Sequence, residues 1–300
     1  MTWHAGDFVL HKARPDWGVG KVFNVNSHDL EVFFLDGGRR VLAQPAALLE
    51  EAPVELRGNP LLTGWTPALM DSKQKFVSLP QRLLYFQKLF PDGFYDREYV
   101  TEDPKAGERH YKIVAMNLAQ SLLSKPAWAE LGSAGNYAEI CRRLAQIESK
   151  TNLLHKFEKI KWHAALQNEQ MQEALATAMY NDLFGTGSRM SRFDALAKVL
   201  SAADGCAKWP IATYYGFLMQ PDPDLEPRMF IKPEVIQFAT EACGWDLQYE
   251  SALNWQTLSR AEAFANYLFN ELCQRGLKPR DMIDVQSFIW CIDPKSYASS

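Results

Sequence analysis

The chain has 300 residues, of which 47% are hydrophobic and 23% are charged, and this composition excludes a disordered chain, a collagen and a coiled-coil rod. No stretch approaches the roughly 18 consecutive apolar residues of a membrane-spanning helix, so we expect no membrane association. The 32 basic and 36 acidic residues give a net charge of −4, and nucleic-acid binding would therefore require a local basic surface.

The cysteines and histidines predict neither a metal site nor a cofactor. The five cysteines include no C-x-x-C pair, and the two closest in sequence, Cys273 and Cys291, are 18 positions apart. We therefore expect free thiols in a reducing compartment. None of the six histidines forms the i, i+4 pair beside a glutamate that binds zinc in metalloproteases. The N-terminus lacks the basic and apolar regions of a signal peptide, which predicts a cytoplasmic protein.

Residues 1–50 predict a small antiparallel β-barrel of four strands. Short apolar or alternating runs occur at 7–11, 18–25, 30–35 and 39–43, with polar or Gly-containing turns between them. The turn Asp36-Gly37-Gly38 is typical of a hairpin. Gly18 and Gly20 fit a sharply bent strand in which larger side chains would collide.

This segment resembles the small SH3-like or Tudor-like modules of bacterial DNA-processing proteins. The resemblance rests on His11, Pro15 and Trp17, which precede the strand Gly18–Val22. It implies a module that docks on protein or nucleic acid and carries out no chemistry. Because acidic and basic residues are balanced within it, we expect a protein partner or a scaffolding role.

Residues 51–75 predict a linker, and residues 76–300 predict an all-α domain. Repeated proline and glycine, at Pro53, Pro60 and Pro67 among others, break regular structure in the linker. Helical periodicity begins near Phe76 and predicts about eight helices. The predicted segments are 79–89, Tyr111–Ser124, Tyr137–Gln172 with a break near Thr151, Met171–Phe184, Phe193–Ala203, Pro233–Ala242, Trp255–Gln274 and Met282–Ile292.

A basic segment lies between Arg142 and His163. Six bases face only two acids there, a local charge of +4 in an acidic chain. Such asymmetry is expected where phosphates are neutralised, whereas the alternative is a solvated helix face with internal ion pairs. The predicted contacts to the DNA backbone are Arg142, Arg143, Lys156, Lys159 and Lys161, together with Lys208 further along the chain.

The segments Lys208–Tyr215 and Met229–Ala239 predict a turn, a short helix, a loop and a new helix that begins at Pro233. This order resembles the helix-hairpin-helix DNA glycosylase superfamily. The resemblance implies that the hairpin stretch Cys206–Thr213 binds phosphates and that the catalytic residue lies within Ile231–Glu234. The chain departs from the family pattern, since the Gly-rich hairpin and the usual aspartate are both missing.

The same resemblance implies double-stranded DNA with a damaged or modified base as the partner, including bases modified by phages. The base would leave the stack and enter an aromatic pocket, formed here by Trp209, Tyr214 and Tyr215. Either Glu234 would stabilise the oxocarbenium-like sugar, or the amine of Lys232 would attack the sugar carbon. The alternatives are a surface lysine near a helix start and ordinary aromatic core packing.

A last candidate lies near the C-terminus, where Asp284 and Gln286 follow Asp281 in an apolar setting. A buried carboxylate requires a partner or a function, so Asp284 is a third catalytic candidate and Gln286 a further pocket residue. The alternative is a helix cap by Asp281 and an ion pair of Asp284 with Arg280.

The sequence thus predicts a mainly α protein, in which a small SH3-like β-barrel precedes a larger helix-hairpin-helix glycosylase-like domain. The expected function is DNA glycosylase activity without a cofactor. The alternative is a non-catalytic adaptor that binds nucleic acid or protein.

Overall fold

The computed structural model describes residues 2–43, 47–59, 62, 79–103, 107–221, 227–243 and 245–293. A small antiparallel sheet of five strands comes first, and the region after it is mostly helical. The chain forms two compact units. The first combines Met1–Pro91, Val235–Leu247 and Ile289–Ser300, and the second combines Asp92–Glu234 and Gln248–Phe288. The predicted domain boundaries stay a prediction, and residues 60–61 and 63–75 of the predicted linker lie outside the described residues.

The sheet follows the predicted strands and adds a fifth. Its strands are β1 (Phe8–His11), β2 (Gly20–Val25), β3 (Asp29–Phe34), β4 (Gly38–Ala43) and β5 (Leu49–Glu51). They are ordered β4-β3-β2-β1-β5, and every neighbouring pair is antiparallel. Strand β5 was not predicted from the sequence, because three residues are too few for a visible alternation. The segment is a strand because it pairs with β1, where Leu10 lies opposite Glu50.

Glycine is required at two close approaches within this sheet. A Cβ at Gly20 would lie 2.6 Å from the ring of Phe34, and a Cβ at Gly37 would lie 2.5 Å from Trp17. Both rings pack against one buried apolar cluster, so neither can move away freely. The cluster consists of Trp3, Val9, Val22, Leu30, Val32, Phe34 and Leu49, with Trp17 and Leu42 at its edge.

The described residues after the sheet form twelve α-helices. They are α1 (Leu79–Leu89), α2 (Arg97–Val100), α3 (His110–Leu122), α4 (Lys125–Ser133), α5 (Tyr137–Glu148), α6 (Lys156–Gln167), α7 (Glu169–Phe184), α8 (Arg189–Ala202), α9 (Trp209–Met219), α10 (Pro233–Ala242), α11 (Trp255–Gln274) and α12 (Met282–Cys291). Among them, none combines the length and the apolarity needed to cross a bilayer.

The structure has more helices than the eight or so predicted, and one long predicted segment is divided. The segment 137–172 divides into α5, α6 and the start of α7, with a break at 149–155 that includes the predicted position at Thr151. His155 starts the new helix, since its side chain and that of Glu158 form a reciprocal cap. Helix α4 was not predicted, although Ser124 caps it and Pro126 occupies its first turn.

Candidate functional site

The predicted aromatic pocket lies in the interior of the second compact unit. All eleven residues of α9 are buried, including Trp209, Tyr214 and Tyr215. The Trp209 ring stacks on Phe193 with centroids 5.9 Å apart, and its indole N–H donates to the carbonyl of Glu250. The rings of α9 therefore act as core packing in this structure.

The two tyrosine hydroxyls of α9 connect this helix to its neighbours. Tyr215 donates to the carbonyl of Leu144 at 2.8 Å and accepts from the indole N–H of Trp162 at 3.0 Å. The Tyr214 hydroxyl lies 2.7 Å from Oγ1 of Thr151. Burial raises the pKa of both phenols, so both stay neutral.

Asp284 is completely buried, and five donors satisfy its carboxylate. The hydroxyl of Tyr99 donates at 2.7 Å and Nη1 of Arg109 at 2.8 Å, while Arg280 donates from its backbone N–H, Nε and Nη2 at 2.8, 2.9 and 3.1 Å. Asp281 caps the helix by accepting from two backbone N–H groups of α12. These contacts support the capping and ion-pair alternative, and a catalytic role for Asp284 stays a prediction.

Gln286 is also buried, on the same helix as Asp284. Its Oε1 has no hydrogen-bond partner among the described residues. Asp284 and Gln286 are therefore both enclosed, and neither presents a free surface to a base in this structure.

Most of the predicted phosphate-binding cations already have acidic partners. Arg142 and Arg143 both bind Glu139, at 2.6 and 2.7 Å. Lys161 pairs with Asp204, and Lys159 lies 2.9 Å from Oε1 of Glu148. By contrast, the described residues provide no acidic partner for the exposed side chains of Lys156 and Lys208.

Lys232 lies directly before α10, and its side chain is partly buried. The segment that carries it is fixed to α9, because the backbone N–H of Ile231 donates to Oγ1 of Thr213 at 3.0 Å. Desolvation lowers the pKa of the Lys232 amine, whereas the nearby carboxylates of Glu158 and Glu234 act in the opposite direction. The structure thus brings together an amine with a lowered pKa and two acids, of which the sequence analysis had recognised Glu234.

A second charged group, centred on Glu148, was missed by sequence reasoning. Glu148, at the end of α5, is 1% exposed and accepts from Nε2 of His163 at 2.8 Å. Lys159 lies against its other oxygen and donates to the carbonyl of Thr151. One signal was available, since Glu148 follows Leu144 by four positions and therefore falls on the buried face of α5.

Comparison with known proteins informs only the N-terminal sheet. Residues 4–51, from the segment before β1 to the end of β5, match the family described as "Protein of unknown function (DUF3553)". No curated protein and no solved structure was found to match the chain.

Proposed function

We propose that this protein is a DNA glycosylase-like enzyme of the cytoplasm that removes a damaged or modified base from double-stranded DNA. The proposal includes an SH3-like N-terminal sheet and a helical region of the helix-hairpin-helix type. It also includes a role in defence against phages with modified bases. The observation that carries it is the partly buried amine of Lys232, whose pKa is lowered, beside Glu158 and Glu234.

In the proposed reaction, the neutral amine of Lys232 attacks C1′ of the sugar. The N-glycosidic bond breaks, and its electron pair leaves with the base, which takes up a proton. The attacking nitrogen loses a proton to a carboxylate, either that of Glu158 or that of Glu234, which both act electrostatically on the Lys232 amine. The bond between C1′ and the ring oxygen then breaks, the oxygen takes back the proton from the carboxylic acid, and C1′ and the nitrogen of Lys232 remain joined as a protonated imine. Lowering the pKa of the amine favours this route, since only the uncharged form is nucleophilic.

Binding of DNA would rely on few phosphate contacts. Lys156 at the start of α6 and Lys208 before α9 are the exposed cations of the predicted set, whereas Arg142, Arg143, Lys159 and Lys161 bind acids within the chain. With about two neutralised phosphates, the logarithm of affinity would fall with the logarithm of salt concentration at a slope of about −2.

Trapping of the covalent intermediate tests this proposal. Duplexes with an abasic site or with a series of modified bases are incubated with the protein and borohydride, which reduces the imine to a stable adduct. We expect an adduct in the native protein and in Lys198→Ala, an exposed lysine of α8, and none in Lys232→Ala.

A second candidate function is a non-catalytic adaptor in which the N-terminal sheet binds a protein partner. It is favoured by the burial of Trp209, Tyr214 and Tyr215, whose faces and polar atoms are already used within the core. DNA binding without an adduct and without base release from any duplex would support the adaptor and contradict the enzyme.

A further inference from the structure

An open cleft lies between helices α4, α5 and α7 of the second compact unit, and the proposed function does not use it. Its volume is about 320 Å³. The walls include the aromatic rings of Trp128, Tyr137 and Tyr180, with Ile140 and Ala176 as apolar contacts and Gly132 at the rim.

Two of these rings, those of Trp128 and Tyr180, pack against each other. Trp128 and Tyr180 meet edge to face, with centroids 6.1 Å apart and planes at 63°. The Phe184 ring packs against both, with centroids 6.4 Å from Trp128 and 5.4 Å from Tyr180. Trp128 is 2% exposed and fixes the position of Tyr180, so the partly exposed rings of the lining are those of Tyr180 and of Tyr137 at the start of α5.

The electrostatic character of the cleft favours a cation. The residues that line it include no charged side chain, but the nearby carboxylate of Glu173 raises the pKa of the Tyr137 phenol electrostatically. Glu173 precedes Thr177 and Tyr180 by four and seven positions, so it lies on the face of α7 that borders the cleft. The faces of the rings carry a negative quadrupole, which attracts positive charge in addition.

We propose that this cleft binds an alkylated ammonium ion, with the alkyl groups against the rings and Glu173 as the counter-charge. A quaternary nitrogen has no N–H to solvate and is surrounded by apolar groups, so it loses little hydration on entering an aromatic site. A phosphate-bearing ligand is disfavoured, because its charge would lie near Glu173 with no cationic residue among those lining the cleft.

Isothermal titration with choline and with its neutral isostere, 3,3-dimethyl-1-butanol, tests the proposal on the full chain. Both have the same shape, and only choline is charged. We expect choline to bind roughly tenfold more tightly, a difference of about 1.4 kcal/mol. Equal binding of the two compounds would contradict a cation site, since shape and apolar contact alone would then account for it.

Three variants test whether choline binds in this cleft. A Cβ at Gly132 would meet no heavy atom within 4 Å, so Gly132→Leu fills the cleft without straining α4 and should abolish choline binding. Ala134→Leu adds the same side chain at an exposed position outside the lining and should leave binding unchanged. Ala129→Phe, from the same helix, narrows the cleft if Gly132→Leu does not fold. Retained affinity in a folded cleft-filling variant overturns the proposal.

The counter-charge and the source of the ligand are tested separately. Glu173→Gln keeps the size of the side chain but removes its charge, and it should weaken choline binding several-fold without affecting the neutral alcohol. A short peptide with trimethyl-lysine, compared with its unmethylated form, distinguishes a modified protein from a free small amine. Failure of choline, tetramethylammonium and the methylated peptide to bind would overturn the proposal, whatever the outcome of the adduct assay.

Discussion

Nε2 of His163 lies 2.8 Å from the carboxylate of Glu148, a side chain that is 1% exposed and comes 15 positions earlier in the chain. Lys159 contacts the same carboxylate at 2.9 Å, so one buried acid joins two bases of α6 to the end of α5. The contacts of Glu148 therefore stabilise the junction between α5 and α6.

We expect Glu148→Ala to lower the free energy of unfolding by about 2 to 3 kcal/mol, because it leaves Lys159 partly buried without its acid. Urea denaturation followed by circular dichroism measures the change. Glu130→Ala, an exposed acid on α4, serves as the control and should change stability by less than about 0.5 kcal/mol. A similar loss in both variants would contradict the role given to Glu148.

The pKa of the Lys232 amine should lie below that of an ordinary lysine. Because desolvation lowers its pKa, the rate of adduct formation should rise with pH to a midpoint below about 10.4, the value for an unperturbed lysine. Glu158 raises this pKa, so Glu158→Gln should move the midpoint to lower pH, while glutamine preserves the cap of α6. An unshifted midpoint in this variant would contradict the electrostatic contact with Glu158.

Asp284 is expected to matter for stability rather than for chemistry. Asp284→Asn removes the negative charge that Arg109 and Arg280 share, and should lower the free energy of unfolding by roughly 3 kcal/mol. At a temperature well below its melting point, the folded variant should form the DNA adduct at the native rate. Loss of the adduct with unchanged stability would instead restore Asp284 as a catalytic candidate.

The five cysteines should differ strongly in reactivity. Burial raises the pKa of Cys141 to about 12 and of Cys206 to about 11, and Cys243 and Cys291 are also buried, whereas Cys273 is exposed. Iodoacetamide at pH 8 should therefore label Cys273 first, as mass spectrometry of the intact protein and its peptides can show. In urea all five should react, and equal labelling rates in the folded protein would contradict the burial.

The hairpin between β3 and β4 should not tolerate a side chain at Gly37. Gly37→Ala places a methyl group 2.5 Å from Trp17, and we expect a loss of about 1 to 3 kcal/mol in the free energy of unfolding. Gly58→Ala is the matched control, since its Cβ would meet no atom within 4 Å. Comparable melting temperatures of the two variants would show that Trp17 can move aside.

Local structure was largely predictable because its causes are local. Alternating apolar residues and glycine turns identified β1 to β4, and periodicity with terminal signals identified α10 and α11 at their observed bounds. Where the signal was short or weak, as for β5 and α4, the prediction was incomplete. The capping role of Asp281 was also readable, since a cap depends on neighbours two and three positions away.

The sequence by itself determined which segments form strands and helices and which residues carry charge or aromatic rings, because these depend on residues a few positions apart. Tertiary structure alone decided what those side chains contact. Asp284 binds Tyr99 across 185 positions, Lys161 meets Asp204 across 43, and α9 became core although its rings had suggested a pocket. Such contacts depend on how helices pack, which pairs residues without regard to their separation along the chain.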